Sequence, residues 1–133
     1  MVTKALERVE KDAGKKLVNL LRSAQGTEVP VEVTAAAWLY TERKNDWRLY
    51  IVTPLVDQKG RLFVNLVVFD SMLADEVLKD FVRRVEMVGL KDRYAEWLKM
   101  MRPVGGPAKL GDIQTESSKS ESGIEASYIY LST

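Results

Sequence analysis

Apolar side chains recur at steps of three or four from residue 2 to residue 24, the spacing of one face of an α-helix. The members of this stripe are Val2, Leu6, Val9, Ala13, Leu17, Leu20 and Ala24. The pattern predicts a helix over residues 3–24, with Thr3 as its N-cap and Gly26 at its end. Gly14 costs this helix about 1 kcal/mol relative to alanine, so the stripe must pack against another element.

The period then changes from three or four residues to two, which indicates β-strands. Residues 31–40 alternate, and the alternation returns over residues 47–52. The polar segment 42–46 between them contains Asn45-Asp46, which suits a tight turn. Together these segments predict an antiparallel hairpin in which aromatic side chains face each other near the turn.

A third strand is predicted over residues 62–69. Pro54 cannot donate a ladder hydrogen bond, so it indicates a bulge, an edge or the end of the preceding strand, and residues 57–60 have the composition of a turn. From Leu62 to Phe69 only Asn65 interrupts the apolar residues. Such a run is typical of a strand covered on both faces, which we expect at the centre of the sheet.

Two further helices are predicted after this run. Asp70-Ser71 fits an N-cap, and Gly89 fits the end of the first helix. The buried face of that helix is predicted to hold Ala74, Leu78, Phe81, Val85 and Val88. A short helix from about residue 91 to 102 follows and ends at Pro103. Its apolar residues fall at helical spacing and are Tyr94, Trp97, Leu98 and Met101.

The last part of the chain is predicted to return to the sheet. Residues 103–123 are rich in Gly, Pro and Ser, so they form either a flexible loop or a loop with a short strand at 110–115. Residues 124–131 alternate and predict a final strand. The expected fold is one α+β domain, 1–133, in the order α-β-β-β-α-α-β. Its antiparallel sheet of about four strands has the helices packed on one face.

Composition removes several classes of chemistry. The chain has no histidine and no cysteine, so it has no Ser-His-Asp triad, no Cys-His pair and no zinc finger. Twenty basic residues against nineteen acidic ones give a formal charge of +1, so binding to nucleic acid or membrane would need local clustering. The charged start of the sequence has no apolar segment of a signal peptide. We therefore expect a cytoplasmic protein with no metal, no cofactor and no membrane partner.

No motif predicts an enzyme. No Asp or Glu lies within an apolar run, where burial would raise its pKa. The glycine-rich segment 105–111 contains a lysine but lacks the spacing of a phosphate-binding loop. A histidine-free enzyme or small-ligand binder is a third option, after two kinds of macromolecular binding.

The first candidate surface is a row of cations on the outer face of the predicted first helix. At 100° per residue the row falls within about 60°, and it extends along about 27 Å of helix. Its members are Lys4, Arg8, Lys11, Lys15 and Arg22. The row could follow a phosphate backbone or an acidic partner. A solvated face is the competing interpretation, because acidic residues flank the row and form i,i+4 pairs with lysines.

The second candidate surface is aromatic and consists of Trp38, Tyr40, Trp47 and Tyr50. If these rings share an exposed face of the sheet, they form a platform for a partner. Trp38 and Tyr40 have the same strand parity, whereas Trp47 and Tyr50 differ, so at least one ring should be in the core. A third set, Trp97 with Met100 and Met101, either lines a partner groove or packs the last helix on the core.

These patterns predict a non-enzymatic protein–protein interaction module that can form a homodimer, with nucleic-acid binding through the first helix as the alternative. The segments Trp47–Leu49, Ile51–Asp57 and Ile124–Tyr130 resemble small prokaryotic proteins of unknown function. That resemblance implies no activity and no site residues.

Overall fold

The computed structural model describes residues 6–22, 31–41, 43–100, 113–116 and 124–132. Its elements, in chain order, are α1 (Arg8–Arg22), β1 (Ala35–Thr41), β2 (Asp46–Val52), α2 (Pro54–Lys59), α3 (Arg61–Leu73), a 3₁₀ helix (Leu78–Arg84), β3 (Val85–Val88), α4 (Arg93–Met100), β4 (Ile113–Glu116) and β5 (Ile124–Ser132). The five strands form one sheet in the order β3-β2-β1-β5-β4. The predicted α+β class is confirmed.

The predicted hairpin is confirmed as β1 and β2. The strands pair antiparallel, and the register places Tyr40 opposite Trp47. The turn depends on Asn45, whose φ of 50° lies in the left-handed region that asparagine tolerates better than most residues. The backbone N–H of Asn45 donates to the Thr41 carbonyl at 2.8 Å, and the Tyr40 hydroxyl donates to the Asn45 side chain at 3.1 Å.

The predicted final strand is confirmed as β5, which pairs antiparallel with β1. A short strand, β4, lies inside the segment predicted as a loop or strand and pairs antiparallel with β5, Ile113 opposite Ile129. Its bounds differ from the expected 110–115 by up to three residues. The rest of segment 103–123 lies outside the described residues.

The sheet is mixed, so the prediction of a purely antiparallel sheet was wrong. β3 pairs parallel with β2, Leu49 opposite Val85 and Val52 opposite Val88. The apolar spacing predicted that Val85 and Val88 lie on the buried face of a helix. In the structure they belong to a four-residue strand that follows the 3₁₀ helix, where β-branched residues pack well.

The predicted third strand was also wrong, because residues 62–69 belong to helix α3. Thr53 caps α2, accepting a hydrogen bond from the Leu55 N–H at 3.2 Å, and Pro54 takes the first helical position. Gly60, at φ 90°, separates α2 from α3. β2 ends at Val52, so the prediction that Pro54 indicates the end of the preceding strand is confirmed, and the residues from Pro54 onward form a pair of helices.

Asp70 and Ser71 do not cap a helix as predicted. They lie inside α3, and the Ser71 hydroxyl donates to the Val67 carbonyl at 3.3 Å, one turn earlier. A serine that bonds back to the preceding turn is compatible with a helix interior, so α3 continues to Leu73. The α4 helix confirms the short helix predicted near 91–102, within the described part of the chain.

Helices cover both faces of the sheet, so the prediction that all of them pack on one face was wrong. One core cluster joins α1, α3 and the 3₁₀ helix to one face and includes Trp38, Trp47 and Tyr130. The second cluster joins α4 to the other face and includes Tyr50 and Leu98. In the described residues no helix is long and apolar enough to cross a membrane.

The buried face of α1 is rotated from the predicted stripe. Val9 is 56% exposed, whereas Glu10 and Gly14 are buried. A Cβ on Gly14 would lie 2.5 Å from the Tyr130 hydroxyl and 2.6 Å from Trp38 Nε1. The absence of a side chain at Gly14 therefore lets α1 approach the sheet directly over these two aromatic residues.

Candidate interaction surface

The four aromatic residues of the second candidate surface are buried, so they form no exposed platform. Trp38, Tyr40 and Trp47 face α1 and the 3₁₀ helix, whereas Tyr50 faces α4, as its strand parity predicted. The Tyr40 and Trp47 rings meet edge to face with centroids 5.6 Å apart. Core packing, the competing interpretation, is therefore confirmed for all four residues.

The cation row on α1 is only partly available to a partner. Arg8, Lys15 and Arg22 are exposed, and Arg8 Nε lies 3.9 Å from the Asp12 carboxylate. Lys11 is half-buried, with its ammonium 4.8 Å from the centre of the Tyr128 ring. Lys4 lies outside the described residues. One of the four described members of the row, Lys11, is thus engaged by the fold.

The last helix packs on the core through the residues that its spacing predicted. Tyr94 and Leu98 are buried, and Trp97 is partly buried against the same cluster. The side chain of Met100 and the whole of Met101 lie outside the described residues. The described residues of α4 thus support packing on the core.

The largest exposed apolar side chains cluster instead on α3. Leu62 is 74% exposed, Leu66 64%, Leu73 62% and Phe63 38%. Leu62, Leu66 and Leu73 lie within about 40° of one another at 100° per residue, and Phe63 flanks them. We call these four residues the α3 outer face.

The opposite side of α3 packs on the sheet. Val64, Val68 and Met72 are fully buried in the same cluster as Trp38. Helix α3 is therefore apolar on two sides, and only one of them is covered by the described residues. A helix that is apolar all round is typically buried on every side, so the α3 outer face has the composition of a contact surface.

Charges lie near both ends of the α3 outer face. The sequence from Leu62 to Phe69 contains no charged residue. The exposed cation Lys59 is the last residue of α2 and precedes this stretch, whereas Arg61 is ion-paired with Glu86. The exposed anion Asp70 lies within the face, near its C-terminal end. The surface is thus an apolar strip with a positive charge before it and a negative charge near its other end.

This surface was not predicted, because the apolar run at residues 62–69 is typical of a buried strand. Helix α3 has thirteen residues, and its four exposed and three buried apolar residues point to opposite sides. In the sequence they therefore form a continuous apolar run rather than the spaced stripe of a one-sided helix. The available signal was the length of the segment: including residues 70–73, it exceeds an ordinary strand.

A largely buried polar cluster joins α1 to the 3₁₀ helix. The Glu10 carboxylate accepts the Glu7 backbone N–H at 2.9 Å through one oxygen and contacts Arg84 Nη2 through the other. Arg84 also donates to the Trp47 carbonyl at 3.1 Å, and its guanidinium lies 4.8 Å from the Trp38 ring centre. Each charged group has a partner, so the cluster acts as a structural link.

Two further polar groups have perturbed acid–base behaviour. Burial, together with the neighbouring Tyr94 and Glu86, raises the pKa of Tyr50 to about 12. The hydrogen bond from Lys16 lowers the pKa of Asp75, and backbone N–H groups after α3 add to that effect. Lys16 Nζ lies 2.9 Å from Asp75 Oδ2, so this pair attaches α1 to the segment after α3.

The surroundings of Tyr50 and Asp75 indicate packing and capping rather than catalysis. The Tyr50 ring packs 4.8 Å from the Tyr94 ring in the α4 core, and the Asp75 carboxylate accepts the Val77 and Leu78 N–H groups as a local cap. Within the described ranges, no group of three or more acidic side chains could hold a metal ion.

Comparison with protein-family models, with curated proteins and with solved structures finds no match to the chain. The resemblance to small prokaryotic proteins of unknown function therefore stays a prediction.

Proposed function

We propose that this chain is a non-enzymatic protein–protein interaction module and that the α3 outer face is its contact surface. The observation that carries the proposal is the exposure of Leu62, Leu66 and Leu73 on a helix whose opposite side is already buried in the core. The proposal moves the contact surface from the aromatic residues of the sheet to α3.

Covering these exposed leucines with a partner is favourable, because it removes their apolar surface from water. Fully burying a leucine contributes about 1.5–3 kcal/mol relative to leaving it exposed, so a partner that covers three of them gains several kcal/mol. Scattered exposed leucines are ordinary, but these three share one line on one helix. No charged residue lies between Leu62 and Leu66, and charged residues are depleted at the centre of interfaces.

The same features support a binding role over an enzymatic one. The chain has no histidine or cysteine, and its most deeply buried carboxylate in the described residues, Glu10, is already bonded to Arg84. The described groups with a shifted pKa, Tyr50, Asp75 and Arg93, all have structural partners, and Arg93 donates to the Tyr94 hydroxyl. The proposal includes a cytoplasmic location, for which the only support is the composition of the sequence.

Nucleic-acid binding through α1 is the alternative, and it has less support. Arg8, Lys15 and Arg22 are exposed, but Lys11 packs on Tyr128. A net charge of +1 gives no general attraction to phosphates.

The experiment compares the wild type with the double variant Leu62→Glu/Leu66→Glu as immobilised baits in an extract of the native host. Proteins retained by the wild type are identified, purified and titrated against both baits. The matched control is Glu96→Lys, at an exposed position of α4. Circular dichroism and thermal melting check that all three proteins fold alike, since exposed substitutions usually change stability by less than about 0.5 kcal/mol.

The expected result is direct binding of a purified partner, including a further copy of this chain, that the double variant loses by at least about tenfold and the control keeps. Equal binding by wild type and double variant would overturn the α3 outer face as the contact surface. A wild type that binds no protein at all, itself included, would overturn the proposed function.

A further inference from the structure

We infer that the α3 outer face binds a second copy of this chain, with the two α3 helices antiparallel across a two-fold axis close to Leu66. This inference rests on the proposed function and names its partner. Two features of the molecule support it: the positions of the charges near the ends of α3, and the length of the apolar strip.

Charge complementarity selects the antiparallel arrangement. Lys59 lies before the N-terminal end of α3 and Asp70 near its other end, and both are exposed. A two-fold axis near Leu66 places residue 62 of one copy beside residue 70 of the other. Lys59 of each copy then approaches the Asp70 carboxylate of its partner, twice per dimer, whereas a parallel pair would bring like charges together.

Helix geometry supports the same arrangement. From Leu62 to Leu73 the strip is about 16 Å long at 1.5 Å per residue. Two helices that cross at about 20° stay in contact over such a length, whereas a crossing near 50° uses only its middle. The helix dipoles are also opposed in an antiparallel pair, which places the negative end of one helix near the positive end of the other.

The exposed area of the strip determines the expected affinity of the dimer. The four side chains expose on the order of 400 Å² per copy, so a pair would bury roughly 800 Å² of apolar surface, below the standard size for stable complexes. We therefore expect a reversible dimer with a Kd of about 10–100 µM rather than an obligate one.

The first experiment is sedimentation equilibrium from about 1 µM to 1 mM, around the expected Kd. Wild type should change from monomer to dimer across this range. Leu66→Glu should remain monomeric, Lys59→Glu and Asp70→Lys should each weaken the dimer about tenfold, and the double variant Lys59→Glu/Asp70→Lys should recover to within about threefold of wild type. Lys99→Glu, an exposed charge reversal on α4, should leave the equilibrium unchanged.

The second experiment uses the absence of cysteine from the natural sequence, because any introduced thiol is then the only one. Under oxidation, Leu66→Cys should crosslink with itself. Leu62→Cys should not, but an equal mixture of Leu62→Cys and Asp70→Cys should form the mixed disulfide. Self-crosslinking of Leu62→Cys without the mixed product would show parallel helices and overturn the antiparallel arrangement.

The two proposals fail differently. A wild type that stays monomeric at 1 mM overturns the dimer. If the immobilised wild type then still binds a different purified protein that Leu62→Glu/Leu66→Glu loses, the proposed function stands. A dimer that persists in Leu66→Glu and crosslinks through neither cysteine pair also overturns the dimer through α3, and the titration of a different purified partner against Leu62→Glu/Leu66→Glu then decides the proposed function.

Discussion

Glu10 of α1 and Arg84 of the 3₁₀ helix form an ion pair in which only 6% of the Glu10 side chain and 26% of the Arg84 side chain are exposed. The pair connects two elements that are separated in sequence by the whole hairpin and by α3. Arg84 also donates to the Trp47 carbonyl, so it ties α1, β2 and the 3₁₀ helix together.

Removing either partner of this pair should destabilise the fold, and removing the arginine should cost more. Arg84→Met leaves a buried carboxylate without its cation, for which we expect a loss of about 3–5 kcal/mol in the free energy of unfolding. Glu10→Gln keeps an acceptor for the Glu7 N–H and leaves Arg84 partly solvated, so about 1–2 kcal/mol is expected. Urea denaturation followed by tryptophan fluorescence measures both.

A double-mutant cycle isolates the interaction between the two side chains. The combined variant Glu10→Gln/Arg84→Met should cost clearly less than the sum of the single variants, with a coupling of about 1 kcal/mol or more. Additive losses would show that Arg84 stabilises the fold only through Trp38 and the Trp47 carbonyl.

Gly14→Ala should destabilise the protein, although alanine is the better helix former. At an exposed helix position the change would stabilise by about 1 kcal/mol. Here the new methyl group would meet Tyr130 and Trp38, so overpacking should reverse the sign and cost about 1–3 kcal/mol. The thermal midpoint measures the effect.

The matched control is Asn19→Ala, at an exposed position of the same helix, which should stabilise slightly. If Gly14→Ala raises the midpoint as much as the control does, α1 does not approach the sheet as closely as the structure describes.

Stability should fall between pH 10 and pH 12 in a way that depends on Tyr50. In the unfolded chain the Tyr50 hydroxyl ionises near its ordinary value of 10, whereas in the folded protein its pKa is about 12. The unfolded state therefore loses the proton first, so stability is fully present below pH 10 and declines as the pH rises toward 12. Urea denaturation at pH 9, 10, 11 and 12 follows this decline.

The difference between wild type and Tyr50→Phe separates this residue from the other tyrosines and the lysines. The variant lacks the ionisable hydroxyl, so its stability should fall less steeply over the same interval. Parallel curves for the two proteins would contradict the raised pKa.

The chain should show no salt-sensitive affinity for nucleic acid. We expect no measurable binding of a 20-nucleotide duplex or single strand at about 50 mM salt, because the net charge is +1 and Lys11 packs on Tyr128. Fluorescence anisotropy of a labelled oligonucleotide tests this expectation.

Binding that weakens steeply with salt and disappears in Lys15→Glu/Arg22→Glu would instead support the α1 alternative. That pair of substitutions avoids Lys11, whose packing on Tyr128 could affect folding. Lys99→Glu serves as the control for a general change in charge.

The hairpin and the terminal strand were predictable because local patterns specify them. Alternation over residues 35–41 and 46–52 places successive side chains on opposite faces, and Asn45 supplies the left-handed turn residue. Tyr50 faces α4 while Trp47 faces α1, as strand parity requires.

Helix α3 was not predictable in the same way, because an unbroken apolar run contains no period. The sequence 62–69 suits a buried strand and a two-sided helix equally well until the packing partners are known. The break at Gly60 falls in the predicted turn at residues 57–60, but it separates two helices rather than two strands.

No local sequence pattern predicts the pairing of Glu10 with Arg84. A glutamate three residues after Glu7 fits a helix start, but its buried partner comes from a distant element. Long-range contacts of this kind depend on topology, and here the topology includes a parallel strand that the local patterns did not indicate.

That parallel strand affects the order in which the molecule assembles. Strands β1 and β2 close a short loop, whereas β3 reaches β2 only after residues 53–84 have been brought round. Closing a longer loop costs more chain entropy before native contacts can offset that cost. The hairpin should therefore form early and this edge of the sheet late. In the interval both apolar sides of α3 face water, and newly synthesised chains are then most prone to aggregate.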